Sequence, residues 1–153
     1  MQDLKLIALD AEDLAALSAH LQDAVVRVAD MTFLKGEKRF AAVLNRFDWG
    51  GTVTPSAAGA SDFVRRRAGL RFERVLGAQV SGIDQRSTDT VLSLLAVSFE
   101  PESAPEGFVT LSFSGGGAVR LHVECIEAEL KDLGAAWTTK RRPVHDIISP
   151  DKD

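Results

Sequence analysis

Two runs of alternating apolar and polar residues, separated by three consecutive glycines, occupy the stretch from residue 108 to residue 124. A period of two places successive side chains on opposite faces of a strand. Two such runs around a glycine-rich break are typical of an antiparallel hairpin with one buried face. The apolar positions are Val109, Leu111 and Phe113 in the first run, and Val119, Leu121 and Val123 in the second. The sequence therefore predicts a sheet built around this hairpin.

The period changes after the second run. Ile126, Leu130 and Leu133 follow one another at i, i+4 and i+7, which is one stripe of a helix. Two glutamates in the first turns and a lysine near the end suit the helix dipole, and Gly134 stands where a left-handed C-terminal cap is expected. A helix this short is marginal alone in water, so we expect residues 125–134 to pack on the sheet of the hairpin.

The first third of the chain alternates between strand and helix patterns. Residues 4–9 predict a short strand, and Asp10 has the character of an N-cap for a helix over residues 11–24. Apolar residues then predict a hairpin formed by residues 26–34 and 39–48, around a glycine-containing turn.

Small and polar residues fill 50–62, which we expect to be a mobile loop. Residues 70–80 predict a long strand with a bend or bulge at Glu73–Arg74, where the phase of the pattern shifts. Residues 90–99 are apolar at nearly every position, which predicts a central strand covered on both faces.

These elements indicate an α+β fold. We expect an antiparallel meander of about six to seven strands with an N-terminal and a C-terminal helix. A partly closed barrel of the pleckstrin-homology kind is the known architecture closest to this order, and an open antiparallel sheet with both helices on one face is the alternative. We expect one domain over residues 1–138, long enough for a hydrophobic core, and an extended tail over 139–153.

Composition excludes several classes of protein. The net charge of −4 argues against a general nucleic-acid binder, so no specific nucleic-acid partner is expected. One cysteine makes no internal disulfide, and with no CxxC pair the sequence predicts no metal site and no cofactor. We see no signal peptide and no membrane span, so a cytoplasmic location is expected.

Five arginines between residues 65 and 74 form the densest basic cluster in this acidic chain: Arg65, Arg66, Arg67, Arg71 and Arg74. Such a cluster can contact acidic groups, and we interpret it as the best candidate binding surface for a protein partner. The alternative is a solvated strand edge protected by charge.

The second run of the hairpin carries the other candidate site. Arg120, His122 and Glu124 should share one face of a strand, where they could bind an anion or shuttle a proton. The alternative is an ordinary solvent-facing row. Cys125 follows this row, and the alternation points its side chain inward as a structural residue.

The segments RRRAGLRFERV, LSFSGGGAVRL and VECIEAELKDLG resemble a bacterial family of small uncharacterised proteins, a domain of unknown function. The resemblance covers most of the chain, from LKLIALDAEDL to the tail. It implies a bacterial cytoplasmic protein, and it implies no catalytic residues, because no activity is established for the family.

The sequence favours a non-enzymatic binding or adaptor domain for a protein partner, because no nucleophile with a base and no metal set is recognisable. A small-ligand binder or enzyme using Arg120, His122 and Glu124 is the alternative. A homodimer formed through an exposed sheet edge is a further expectation. The identity of the partner does not follow from the sequence.

Overall fold

The computed structural model describes residues 3–47, 63–134 and 137–139. The predicted loop at 50–62 lies outside these ranges, and so does the predicted tail at 139–153 except for Thr139, which belongs to a strand. The single domain stays a prediction. The described residues form one α-helix, α1 at Ala11–Leu21, and eleven strands. The strands are β1 Lys5–Ala8, β2 Val25–Arg27, β3 Met31–Leu34, β4 Arg39–Phe47, β5 Phe63–Glu73, β6 Val75–Ser81, β7 Val91–Ser103, β8 Glu106–Phe113, β9 Ala118–Val123, β10 Ala128–Asp132 and β11 Trp137–Thr139.

The strands join one antiparallel sheet in the order β1-β10-β5-β4-β2-β7-β8-β9-β6, with β3 beside β4 and β11 beside β5. The antiparallel sheet is therefore confirmed. The path ends at β1 and β6, which do not pair with each other within the described ranges, so the sheet is open. The expected barrel closure is not found there, and the expected six to seven strands and two helices are wrong for the same residues. Pairing of the two end strands with a second copy stays a prediction.

The central hairpin is confirmed. Strands β8 and β9 pair antiparallel, with Phe108 opposite His122 and Thr110 opposite Arg120. The turn between them uses Gly115 at φ 86° and Gly116 at φ 94°, left-handed values that favour glycine because a residue with a Cβ is strained against its own backbone there. The alternating apolar residues of both strands lie in the core.

The predicted helix over 125–134 is wrong, because this segment contains strand β10. It lies between β1 and β5, with Leu130 opposite both Leu6 and Leu70. Burial alternates along it: Ala128, Leu130 and Asp132 are buried, while the residues between them are not. Local helix propensity is a weak preference, and pairing with a neighbour on each side overrides it.

The predicted bend at Glu73–Arg74 is confirmed. Arg74 alone separates β5 from β6 and has a left-handed backbone at φ 61°. Strand β5 pairs with β4 and β10, whereas β6 pairs with β9. The bend thus carries the chain from one half of the sheet to the other, and buried side chains from both halves belong to one core cluster.

Helix α1 covers the inner face of the sheet. The Asp10 carboxylate accepts a hydrogen bond from the Asp13 amide at 2.8 Å, which confirms the predicted N-cap. Leu14, Leu17 and Leu21 are buried. The helix ends at Leu21, earlier than predicted, because the chain turns there to enter β2.

Strand β7 is central in the sheet, between β2 and β8, but it is not covered on both faces. Leu94 and Val97 are 1% and 4% exposed, whereas Val91 and Leu95 are 40% and 49% exposed. Helix α1 contacts β7, and a register shift between Leu94 and Ala96 leaves Leu95 outside the core. The prediction of two covered faces is wrong, because continuous apolar character does not report which face has a covering layer.

Candidate functional site

Strand β5 distributes its arginines over both faces of the sheet. Arg66 lies on the core face, in phase with the buried Ala68, Leu70 and Phe72. Arg65, Arg67 and Arg71 point to the outer face, because successive residues of a strand alternate. Arg74 stands at the bend. The five residues therefore do not form one surface. The alternative of a protected edge strand is wrong, because β5 pairs on both sides.

On the core face, Arg66 belongs to a buried ion cluster with Arg46 and Asp132. Arg46 donates to both carboxylate oxygens of Asp132, from Nε at 2.9 Å and from Nη2 at 3.0 Å. Nε of Arg66 lies 3.8 Å from the same carboxylate, and its Nη1 lies 3.4 Å from Asp3. The side chains of Arg46, Arg66 and Asp132 are only 4%, 3% and 0% exposed. This cluster holds β4, β5 and β10 together and is not open to a partner.

The pKa of the Asp132 carboxyl reflects two opposed effects. Burial alone would raise it, because a charge is costly away from water. The hydrogen bonds from Arg46 and from the Leu4 amide, with the charges of Arg46 and Arg66, outweigh burial and lower the pKa below its ordinary value of 3.8. Asp132 is therefore ionised in the folded protein at neutral pH.

This lowered pKa predicts that acid destabilises the protein through Asp132. A carboxyl with a lower pKa in the folded state stabilises the fold fully at pH values above its unfolded pKa. That contribution declines as the pH falls below about 3.8 and is lost once the pH passes through the folded value. Thermal unfolding followed by circular dichroism between pH 7 and pH 2 should show this loss. A melting temperature that stays constant below pH 4 would contradict it.

On the outer face, Arg71 is neutralised by carboxylates. Its Nη2 lies 2.6 Å from Glu129 and its Nη1 lies 2.6 Å from Glu73. These bonds, to Glu73 first and then to Glu129, raise the pKa of Arg71, and the same contact with Arg71 lowers the pKa of Glu129. Arg74 is paired as well, at 3.2 Å from Glu127. The positive charges of Arg71 and Arg74 are therefore balanced by glutamates of the same protein.

At the other end of the outer face, Arg65 is buried and contacts an aromatic ring. Arg65 is only 9% exposed, and its guanidinium carbon lies 4.4 Å from the centre of the Phe47 ring. Its Nε and Nη1 are buried without a hydrogen-bond acceptor. Burial lowers the pKa of Arg65, because the cation has lost water. The site thus contains a desolvated cation that has an aromatic neighbour and unused donors.

Arg67 and Asn45 lie beside this group. They are cross-strand partners, and the next pair on the same face of these two strands is Phe47 with Arg65. Arg67 is exposed and forms no ion pair within the described part of the chain. Asn45 is 6% exposed, and its Oδ1 is also buried without a partner. Arg65, Arg67, Asn45 and Phe47 together form what we name the Arg65 site.

The polar row on β9 has the predicted alternation, since Leu121 and Val123 are buried between its members. The Arg120 guanidinium carbon lies 3.8 Å from the centre of the Phe108 ring. The His122 ring stacks on the same Phe108 ring at 4.9 Å between centres. The row is therefore built around an aromatic side chain that our reading of the sequence did not include.

Carboxylates from different strands pair with this row. Nε2 of His122 lies 2.5 Å from Glu106, and Nη2 of Arg120 lies 3.7 Å from Glu100. Glu124 is instead paired with Lys38 at 3.0 Å. Arg120, His122 and Glu124 therefore have different partners and do not converge on one ligand position. The side chains of His122 and Glu106 are 37% and 40% exposed, which leaves them without the water-excluding enclosure that favours catalysis.

Cys125 is half-buried and directly follows Glu124, after the end of β9. Across the described ranges, no three His, Cys, Asp or Glu side chains come close enough to hold a metal ion.

Several residues that shape these sites were not predicted, among them Arg46, Asp132, Asn45, Phe47 and Phe108. Asp132 was recognisable in principle, because it continues the every-second-residue pattern of Ala128 and Leu130. The helical spacing of Ile126, Leu130 and Leu133 in the same segment obscures that period of two. Arg46 and the two outer residues give no local signal, because their roles depend on which strand lies beside β4.

The helices of residues 3–47, 63–134 and 137–139 include none with the length and apolar character of a membrane span.

Comparisons with known proteins identify a family but no function. No curated protein and no solved structure matches the chain. One family model, described as protein of unknown function (DUF2948), matches residues 4–145. The match spans nearly the whole sequence, and the chain therefore belongs to the DUF2948 family.

Proposed function

We propose that this protein is a non-enzymatic binding module that recognises a carboxylate on an acidic protein partner at the Arg65 site. The observation that carries the proposal is the buried guanidinium of Arg65, whose Nε and Nη1 have no acceptor. Buried polar groups in proteins are nearly always hydrogen-bonded, so an exception calls for a physical reason. An anion that displaces the groups covering Arg65 would supply the missing acceptors.

The energetic argument favours an anion over an empty site. Leaving a buried donor unsatisfied costs about 1–3 kcal/mol, and more for a charged group. A carboxylate would recover that cost through charge-assisted hydrogen bonds, which are stronger than neutral ones. Stacking on Phe47 orients the guanidinium before binding, so little conformational entropy remains to be lost.

Arg67 supplies electrostatic attraction at a distance, which the buried guanidinium of Arg65 does not supply. It is exposed on the same face and can attract an acidic surface before contact, which raises the rate of association. Asn45 can turn its amide nitrogen toward the anion as a further donor. In this proposal the exposed Arg67 attracts the partner, and the buried Arg65 and Asn45 donate hydrogen bonds to its carboxylate.

A protein partner suits this site better than a nucleic acid. Binding to nucleic acid depends on many phosphate contacts. Of the five arginines on and after β5, Arg66 is buried in an ion cluster, and Arg71 and Arg74 are paired with glutamates. The remaining two, beside a body of net charge −4, favour one or two carboxylates.

The test compares Arg67→Gln with Arg71→Gln, two neutral substitutions on the same face of the same strand. The probe is a fluorescein-labelled decapeptide of alternating glutamate and glycine, and the measurement is fluorescence anisotropy at low salt. We expect Arg67→Gln to weaken binding by about tenfold or more, because a charge-assisted bond is lost. Arg71→Gln should change binding less than about twofold, because Arg71 is already engaged by Glu73 and Glu129.

Arg65→Met extends the test to the buried group. Methionine retains an apolar contact with Phe47 and removes the unsatisfied donors, so peptide binding should disappear while the melting temperature stays the same or rises. A double variant with Arg120→Ala and His122→Ala should bind the peptide normally. Equal affinity in Arg67→Gln and Arg71→Gln would refute the proposal, and loss of binding only in the Arg120 and His122 double variant would redirect attention to the polar row.

A further inference from the structure

A cleft separates strand β3 from strand β6 and is remote from the Arg65 site. It has a volume of about 530 Å³. Its floor contains Phe40 and Val119, which are 3% and 2% exposed. Phe40 and Asn45, the nearest member of the Arg65 site on β4, are five residues apart, roughly 17 Å at the usual rise of a strand, and they lie on opposite faces of the sheet. The cleft therefore needs its own explanation.

Backbone hydrogen bonds close both ends of the cleft. At one end, the Val75 amide donates to the Lys38 carbonyl at 2.9 Å, which ties β6 to the turn after β3. At the other end, the loop after β6 is fixed to the 3-10 turn at Val28–Asp30. There the Ala29 amide donates to the Thr88 carbonyl at 3.0 Å, and the Val28 amide donates to the Thr90 carbonyl at 3.0 Å. Backbone contacts thus bound the cleft at both ends.

No lining residue carries a formal charge, and the lining combines apolar side chains with several polar groups. Its apolar side chains include Met31, Phe33, Phe40, Ala78, Val80 and Ile83. The polar ones are Thr32, Gln85 and Thr88, which can donate or accept hydrogen bonds without carrying charge. A charged ligand would lose its hydration here and gain no counter-charge, which is costly.

We propose that this cleft binds one uncharged small molecule with an apolar body and a single hydrogen-bonding group. The volume lies within the range of about 300–1,000 Å³ that is usual for small-molecule sites. The closed ends exclude an extended peptide, which would have to run out of the cleft along its length. A ligand would replace water along apolar walls, which is favourable in proportion to the apolar area covered. This site is independent of the Arg65 site and of the function proposed for it.

The test uses the neutral fluorophore N-phenyl-1-naphthylamine, whose emission rises in an apolar site. The wild-type protein should bind it saturably at one site. Ala78→Phe places a ring inside the cleft, since Ala78 is a lining residue opposite Leu121. We expect this variant to bind the fluorophore at least tenfold more weakly. Ala96→Phe, the same substitution at an exposed position of β7, is the matched control and should bind normally.

A second cleft variant and a competition experiment complete the test of fluorophore binding. Val80→Phe makes the same test at the rim, where a 36% exposed position tolerates a larger side chain if Ala78→Phe fails to fold. Competition between 1-decanol and decanoate tests the chemical class, and decanol should displace the fluorophore at a concentration at least tenfold lower. No saturable binding by the wild-type protein, normal binding in the folded cleft variants, or equal displacement by the two competitors would each overturn the proposal. Arg67→Gln should leave fluorophore binding unchanged, which separates this site from the first.

Discussion

Asp132→Asn is expected to lower the free energy of unfolding by about 3–5 kcal/mol, enough to unfold a marginally stable domain. The substitution keeps the size of the side chain and removes its charge. Arg46 would then remain buried, with its side chain 4% exposed, and would lose the carboxylate that accepts both of its hydrogen bonds. Arg66 would lose one of its contacts and keep the one with Asp3. A buried charge without compensation costs far more than an intact buried pair contributes, and this asymmetry makes the expected effect large.

Glu129→Gln is the matched control. It removes one negative charge from the same strand, on the opposite face, where Glu129, itself 15% exposed, is paired with the 44% exposed Arg71, which also contacts Glu73. Solvent weakens such pairs, so the expected loss is below about 1 kcal/mol. Urea unfolding followed by circular dichroism would measure both variants. A loss below 1 kcal/mol for Asp132→Asn would mean that the two arginines do not need Asp132.

A triple variant separates charge from packing. Replacing Arg46 and Arg66 with methionine and Asp132 with leucine removes all three charges and fills similar space. Such replacements of buried ion clusters are often neutral or stabilising. We expect the triple variant to be more stable than Asp132→Asn. If it is equally unstable, the hydrogen-bond geometry of the cluster, including the Leu4 amide, would be the larger contribution.

Local patterns predicted the elements whose signals are local. The β8–β9 hairpin followed from a period of two around glycines that occupy left-handed conformations. Helix α1 followed from its apolar stripe and from Asp10, whose side chain caps the first turn. In both cases the residues that specify the element lie within a few positions of one another, so one sequence is sufficient.

The sites were less predictable because they depend on neighbours that are distant in the chain. Alternation along β5 could have separated Arg66 from Arg65 and Arg67, but it could not show that both faces of β5 have partners. Asp132 lies 86 positions from Arg46, its main partner. The cleft between β3 and β6 has no local signal, because its rim is set by contacts such as the one from Val75 to Lys38.

Leu130→Ala should cost about 2–5 kcal/mol, because the side chain is fully buried in the core. The loss combines the transfer of apolar atoms with the cavity left behind. Leu130 lies between Leu6 and Leu70 in the register, and pairing on both sides limits how far the strands can collapse into that cavity.

Leu133→Ala is the comparison that distinguishes the strand from the helix first predicted for this segment. A helix would place Leu130 and Leu133 on one buried stripe, so both substitutions would be costly. In the structure Leu133 follows the end of β10 and is 49% exposed, with its side chain resting beside Gly69. Its loss should therefore cost less than about 1 kcal/mol, because half of the side chain already contacts water. Parallel urea titrations would decide the matter. Similar large losses of unfolding free energy in both variants would support a helix in this segment. A large loss for Leu130→Ala alone fits a strand that has only its Leu130 face in the core.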